Sequence, residues 1–583
     1  MGKCFDAYKY LGAHFQNGVT TFRVFAPNAM KISVIGDFNE WQETPLERVY
    51  DDNFYECAIN NTRLGMRYKY RIYGKDGTVL DRADPYGFGS EMRPNNCSII
   101  RDLNAYRFTD GNWRKRKKSF YNRPINIYEV HLGSWKKPKD SKEFYTYSEI
   151  GDLLIPYLKQ SGYNYIEIMP ICEYPNDSSW GYQGYGYYCP TSRYGDMNSL
   201  KKFINDCHTN NIGVILDFVP AHFAIDDYGL SYFDGSALYE NAHKDIALNE
   251  WGSKNFNFSR GEVRSYLQSS ACYWLDEYHF DGIRFDAIRN VIYWQGDEKR
   301  GENGCGINFL KVMNRELKER FQNAMLCAED STAFPKVTTP VKDGGLGFDF
   351  KWDMGWMNDT LAYFQSTHNE RKNIYNKLTF SMHYFYNERF LLPLSHDEVV
   401  HCKGTILQKM NGETADKFKQ AKALYAYMFT HCGKKLNFMG NEIAQIREWS
   451  EQRAQDWELL DDSMHNAFYA FIVELNKLYL NNSALYEKDY ERAGFEWLDC
   501  SGKIAGVYAY LRKSTNQTIA AIFNFSGVSV NYSPKIKNGQ KLNLLLDTNW
   551  ERYGGNIKET DLSYSKNSDM VLEPFSAKIF NVI

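Results

Sequence analysis

The chain has 583 residues, 43% of them hydrophobic and 16% aromatic, enough for a sizeable core and for more than one domain. Its 69 Lys and Arg against 72 Asp and Glu give a formal net charge of −3, which excludes a nucleic-acid binder built on bulk positive charge and a disordered acidic chain. The start, MGKCFDAYKYLGAHF, lacks a basic stretch followed by an apolar run, Asp6 does not fit a myristoylation pattern, no apolar run is long enough to cross a membrane, and the scattered cysteines form no CxxC pair, so the expectation is a cytoplasmic enzyme with reduced thiols.

Residues 1–108 carry short alternating runs, TTFRVFAP, KISVIGDF, FYECAI and MRYKYRIY, punctuated by Pro27-Asn28 and Lys75-Asp76-Gly77. This pattern predicts a small antiparallel β-sandwich. The polar basic stretch Asn112–Lys118 reads as a linker. From about 120 the rhythm changes to strand-like runs at 125–131, 163–170, 212–220, 281–288, 324–330, 345–352, 389–396 and 435–441. Helical periods lie between several of them, clearest at 148–162 and 262–279. Eight strands joined by helical connections predict an α/β chain built on a (β/α)8 TIM barrel over 109–479. Alternation returns in KIAGVYAYLRK, TIAAIFNF, KLNLLLDT and FSAKIFNVI, so 480–583 reads as a C-terminal all-β domain, a sandwich.

In such a barrel, reactive groups sit at the C-terminal ends of the strands. The fourth run, DGIRFDAI, puts Arg284 and Asp286 two residues apart, on the face opposite Ile283 and Phe285. A charged pair late in a buried strand is costly unless it is paired. A structural salt bridge is the plain alternative. The fifth run ends in Glu329 and Asp330, the seventh in His396, Asp397 and Glu398, and the third holds Asp217 with His222 shortly after. One such carboxylate could simply cap a helix. Several together suit acetal cleavage, in which one carboxylate attacks the anomeric carbon and a second acid protonates the leaving oxygen.

The segments DFVPAH (217–222), GIRFDAI (282–288), AEDS (328–331) and LSHDE (394–398) resemble the α-amylase superfamily, glycoside hydrolase family 13. The longer stretches YEVHLGSW (128–135), SSWGYQGYGYYCPTSRYG (178–195), FDFKWDMGWMNDTL (348–361), LPLSHDEVVHCKG (392–404) and GKKLNFMGNEIAQIREW (433–449) are similar to the bacterial 1,4-α-glucan (glycogen) branching enzymes within it. The resemblance implies Asp286 as nucleophile, Glu329 as acid/base and Asp397 as the third catalytic carboxylate. It implies substrate-binding roles for Tyr182, Asp217, His222, Arg284 and His396, and cleft-side positions for Trp180, Asp353, Trp356 and Trp449. GDFNEW (36–41), MRYKYRI (66–72) and DRADPYGF (81–88) resemble the family's carbohydrate-binding-like N-terminal module, present here once where longer members carry two. Ala221, Gly184-Tyr185, Arg289, Asn290 and Asp330 depart from the family's usual residues without replacing a catalytic group.

The activity implied is cleavage of an α-1,4 bond and transfer of the glucan segment to a 6-hydroxyl. No cofactor and no metal are expected, and no EF-hand pattern is present. The expected partners are linear and branched α-glucans such as glycogen and amylose-like chains, with no nucleic acid and no membrane, acted on by a monomer. An α-glucan hydrolase of the same superfamily (amylase, debranching or trehalose-releasing) would keep the same carboxylates. A non-catalytic glucan-binding protein would be expected to have lost one. A nicotinamide dehydrogenase lacks its glycine-rich turn here. Tyr182 could be core packing. Trp41, Trp113, His14, His208 and His279 read as structural residues.

Overall fold

The computed structural model describes residues 2–116, 119–501, 504, 506–560, 562–566 and 568–583. The N-terminal module has two antiparallel sheets. One orders Gly12–Gln16, Val19–Phe25, Phe54–Asn60 and Glu47–Val49. The other orders Thr44–Pro45, Lys31–Gly36, Arg67–Tyr73 and Val79–Arg82, with Ser98–Ile99 also paired to Arg67–Tyr73. Alternation does the folding work: Val19–Phe25 buries Thr20, Phe22 and Val24 and leaves the residues between them half-buried. The Phe22 ring meets Tyr68 of the other sheet edge-on at 5.0 Å. Gly36 opens the GDFNEW turn because a Cβ there would lie 2.4 Å from the Arg67 carbonyl oxygen. Trp41 ends that turn and donates to Asp37.

The stretch read as a linker is docked over its described part. Gly111–Arg114 is a helical turn, and its buried Trp113 donates to Asp281 at 2.7 Å. His208 bridges Asp110 and Asp281 at 2.8 and 2.9 Å, and His279 also reaches Asp110. The apolar indole overrides the polar composition around it, and His208 and His279 are structural, as read. Residues 117 and 118 lie outside the described residues.

Eight parallel strands close a barrel in chain order: β1 (Asn126–Val130), β2 (Tyr165–Ile168), β3 (Gly213–Phe218), β4 (Gly282–Phe285), β5 (Met325–Ala328), β6 (Phe350–Trp352), β7 (Phe390–Leu394) and β8 (Lys434–Phe438). Every residue of these strands is buried, as parallel strands covered on both faces require. The principal helices are α1 (Tyr147–Ser161), α2 (Met197–Thr209), α3 (Gly261–Glu277), α4 (Gly304–Arg320), α5 (Met354–Gln365), α6 (Lys377–Tyr384), α7 (Thr414–Thr430) and α8 (Ser463–Asn481). The expected alternation fails between β5 and β6. There the chain makes only a single 3₁₀ turn, Val341–Asp343. Pro335 and Pro340 with Gly344, Gly345 and Gly347 break any helix, and Gly344 and Gly347 both take φ near +90°.

The chain forms two compact units. The first comprises Met1–Arg116, His131–Ile155 and Glu167–Asp349. The second comprises Lys117–Val130, Pro156–Ile166 and Phe350–Ile583. In the first, the N-terminal module is tied to α3 by Tyr8, whose hydroxyl donates to Asp276. In the second, the C-terminal strands Phe495–Asp499, Val507–Lys513, Thr518–Asn524, Ser576–Val582, Lys541–Asp547 and Ser563–Ser565 form one sheet in that order, beside the pair Val530–Tyr532 and Met570–Leu572. Leu511, Ile522, Leu542, Leu572 and Phe580 fill the core between them.

That domain is fastened by buried charge. Asp489 accepts from Lys434 of β8 at 2.8 Å and from Arg512 at 2.6 Å, and all three side chains are inaccessible to solvent. Burial alone would raise the Asp489 carboxyl, but Lys434 and Arg512 outweigh it and hold it below the usual carboxylate range. Replacing Asp489 with Ala leaves two buried cations without their carboxylate. The expected loss is about 3–5 kcal/mol of stability, read by chemical denaturation. A loss under about 1 kcal/mol would contradict this account.

Candidate active site

In the first unit, the register of β3 and β4 sets Asp217 directly beside Arg284. Gly282 permits the next contact, since a Cβ there would lie 2.5 Å from the Met325 carbonyl oxygen of β5. Arg284 is 1% exposed. Its Nη1 donates to both oxygens of Asp217 at 2.7 Å and to Asp286 Oδ1 at 2.8 Å. Its Nη2 lies 3.6 Å from Glu329 Oε2. Burial would lower the guanidinium, but Asp217, Tyr182, Asp286 and Glu329 push it well above its ordinary value. The cation is therefore permanent.

Backbone bonds fix the carboxylates further. Asp286 N–H donates to the Phe218 carbonyl and Glu329 N–H to the Phe285 carbonyl. Ala287, in the left-handed region at φ 44°, turns the chain so that its N–H donates to Glu329 Oε2 at 2.6 Å. Tyr182 is only half-buried, and its hydroxyl donates to Asp217 Oδ2 at 2.7 Å. Its loop is held from below by Arg193, which pairs with Glu173 at 2.8 Å and Asp177 at 2.7 Å. Trp180 follows the turn Asp177–Ser179 at φ 56° and is half-buried.

His222 starts the two-residue strand His222–Phe223, which pairs with Lys254–Asn255. Burial lowers its imidazole to about 4, against a hydrogen bond to the Tyr182 backbone that raises it. It is neutral near pH 7. Its Nδ1 is buried and has no hydrogen-bond partner among the described residues.

The second unit holds the other candidates. Glu129, from β1, accepts from His396 at both Nδ1 (2.5 Å) and the backbone N–H (3.0 Å). A carboxylate only accepts, so this bond puts the imidazole proton on Nδ1. His396 Nε2 then lies 3.4 Å from Asp397 Oδ1. The Trp449 ring sits edge-on to His396 at 6.3 Å, and the Trp449 backbone N–H donates to the Val399 carbonyl. The loop after Asp397 is tied down. Lys403 Nζ donates to the Asp397 carbonyl at 2.7 Å. Lys409 Nζ is accepted by the carbonyls of Glu398, Lys403 and Gly404. Glu448 accepts from the N–H groups of Cys402 and Gly404.

Asp353 and Trp356 belong to packing rather than to open surface, each 1% exposed. Asp353 caps α5: its Oδ1 accepts from the Trp356 N–H and the Tyr384 hydroxyl, both at 2.8 Å. Trp356 stacks on Tyr427. Glu129, Lys409 and Glu448 were not singled out from sequence. For Glu129 a signal existed, a lone carboxylate inside the apolar run NIYEV. The two lysine and glutamate braces lie in ordinary polar loop sequence and gave none.

The model of the α-amylase catalytic domain matches residues 146–251 and 230–516. Carbohydrate-binding module 48, the isoamylase N-terminal domain, matches 10–87, and the α-amylase C-terminal all-β domain matches 497–582. The chain is 45% identical over 572 residues to the 1,4-α-glucan branching enzyme GlgB of Fusobacterium nucleatum, covering 97% of this chain and 93% of that one. It is 42% identical over 603 aligned positions to the enzyme of the same name from Bacillus cytotoxicus, covering 100% and 93%. Among solved structures, a pullulanase from Bacillus acidopullulyticus superposes with a TM-score of 0.76 at 17% identity, over 98% of this chain and 74% of that one. A pullulanase complexed with maltotetraose, from Anoxybacillus sp. LM18-11, gives 0.78 at 16% identity, over 99% and 88%. These two share the fold.

Burial raises Asp353 to about 6, above the usual carboxylate value near 3.8, despite the bonds from Trp356 and Tyr384. A carboxyl raised by folding contributes stability in its protonated form, fully below pH 4, and that contribution is lost as pH rises through about 6. Asp353→Asn keeps the capping oxygen and removes the buried charge. It is expected to unfold about 2 kcal/mol harder than wild type at pH 8 and to lose that advantage near pH 4, by thermal denaturation. A variant weaker than wild type at pH 8 would contradict this assignment.

Proposed function

The chain belongs to the 1,4-α-glucan branching enzymes of the α-amylase family, and we propose that it performs their reaction with Asp286 as nucleophile, Glu329 as general acid and base, and Asp397 as the third carboxylate. It builds α-1,6 branches in glycogen biosynthesis. The observation that carries the residue assignment is the buried Arg284 cation, which hydrogen-bonds Asp217 and Asp286 at once with Glu329 3.6 Å away.

Arg284 keeps Asp286 ionised, so one of its oxygens can attack C1 of an α-1,4-linked glucosyl unit. The C1–O4 bond breaks as Glu329 delivers its proton to O4. A covalent glucosyl ester on Asp286 forms and the first inversion is complete. Glu329, now a carboxylate, takes the proton of an acceptor 6-hydroxyl. O6 attacks C1 and the ester bond to Asp286 breaks, so the second inversion restores the α configuration. Ala287 N–H supports the carboxylate form of Glu329 in this second step. The donor linkage supplies a product linkage of the same kind, and the chemistry needs no cofactor.

Neutral His222 suits a hydrogen bond to a sugar hydroxyl, and Glu129 orients His396 for the same role by accepting from its Nδ1. Tyr182, half-buried with its hydroxyl held by Asp217, would offer a ring face to a sugar. Trp180 lies beside it in the same loop, and Trp449 acts through His396 and Val399. Asp353 and Trp356 are supports. Acceptor transfer over hydrolysis requires that an acceptor hydroxyl be positioned ahead of water.

In the same reading residues 1–108 are a carbohydrate-binding-like module, 109–479 the catalytic barrel and 480–583 the C-terminal β-domain. The enzyme acts on α-glucans. We take it to be a monomer that works in the cytoplasm, in keeping with twelve free cysteines; no helix among the described residues is long and apolar enough to cross a membrane.

The test is proton NMR of amylose incubated with the purified chain and with Asp286→Ala. Wild type is expected to build α-1,6 signal at nearly constant reducing ends. The variant is expected to lose roughly 10³-fold or more of that rate with its melting temperature kept. Near-normal branching by the variant would overturn Asp286, and reducing ends rising without α-1,6 signal would overturn transfer.

A further inference from the structure

Trp251 is unusual in this chain for being a large aromatic both fixed and open, 47% exposed. It lies in the turn that joins α-helical residues Lys244–Ala247 to the strand Lys254–Asn255. One of its own residues and two neighbouring segments brace the turn. Asn249 Oδ1 accepts from the N–H groups of Trp251 (3.1 Å) and Ser253 (2.9 Å). Gln183, next to Tyr182, donates to the Trp251 carbonyl at 3.1 Å. Gln295 donates to the carbonyls of Asp245 and Leu248 at 2.9 and 2.7 Å, and Asn255 Nδ2 holds Gln295 in place.

So anchored, the indole meets the His222 ring at 5.2 Å and 41°. His222 is neutral there, and its buried Nδ1 lacks a partner among the described residues. A neutral imidazole carries one N–H and one bare nitrogen, so Nδ1 can either donate or accept. An exposed, immobilised indole face lies beside a buried imidazole nitrogen with no partner among the described residues, and a buried polar atom left unpaired is costly. The pair matches one ligand chemistry, a pyranose, which presents apolar C–H faces and hydroxyl edges together.

We propose that Trp251 is a platform for a glucosyl ring of the α-glucan chain, stacking its face beside the His222 imidazole. This rests on the branching-enzyme reading and adds a substrate contact to it. Rigid bracing lets the ring bind without ordering a loop at each encounter.

The test is branching of amylose by Trp251→Ala and Trp251→Phe, with KM and kcat read separately. The Ala variant is expected to raise KM roughly ten-fold with kcat within about two-fold, because aromatic contacts of this kind are worth about 1 kcal/mol or somewhat more. The Phe variant is expected to recover most of the loss. A fall in kcat at unchanged KM would mean that Trp251 only seats His222, and wild-type KM would mean that it touches no sugar. Either overturns the platform. If wild type itself makes no α-1,6 linkages, the functional reading fails instead.

A second readout covers an Ala variant that does not fold. With 15N-labelled tryptophan, the indole N–H signal absent from Trp251→Phe identifies Trp251 in the wild-type spectrum. Maltoheptaose is expected to shift that signal, and a signal that stays fixed at saturating maltoheptaose overturns the platform.

Discussion

One guanidinium organises the first compact unit. Arg284 is buried, and a buried cation persists only where carboxylates surround it. Two strands pay it that company by register: β3 brings Asp217 alongside, and Asp286 follows two residues later on the same face. The arrangement depends on Gly282, which lets β4 approach the Met325 carbonyl. It depends also on Ala287, whose positive φ turns the chain and aims an N–H at Glu329. Remove the cation and three largely buried acidic groups would repel one another. With it, Asp217 is spent on Arg284 and Tyr182, and Asp286 remains the anion at the strand end.

The second unit solves a related problem with an oriented imidazole. Glu129 accepts from Nδ1 of His396, which turns Nε2 toward Asp397. The chain beyond Asp397 has no regular structure long enough to stiffen it. Instead Lys409 gathers three carbonyls and Glu448 two N–H groups from the loop 398–404. Burial lowers the Lys409 ammonium to about 8, still charged near neutrality. A cation on its carbonyls and a carboxylate on its N–H groups hold this loop in place.

Much of this was legible before any coordinates. Apolar runs that end in a carboxylate located β3, β4, β5 and β7, and the two-residue spacing of Arg284 and Asp286 placed them on one face. Three things were not legible. The β5–β6 connection has no helix, because prolines and glycines at 335–347 override the barrel rhythm. Trp113 buries itself in what its basic neighbours made look like a linker. Asp353 and Trp356 sit in a segment similar to the family's cleft side, but their atoms are used to cap and pack α5. Capping and burial depend on where a strand ends, which spacing alone does not fix. Trp251 gave no pattern at all, since one exposed aromatic in a polar turn carries no periodicity.

The central claim is that Asp286 forms the bond to sugar. It is tested most directly by trapping the intermediate with a slow-turnover fluorinated maltosyl fluoride, digesting the protein and sequencing the glycosylated peptide by mass spectrometry. The account predicts a sugar ester on Asp286, in the peptide containing GIRFDAI. Labelling of another residue, or complete turnover with inversion and no adduct, would contradict it.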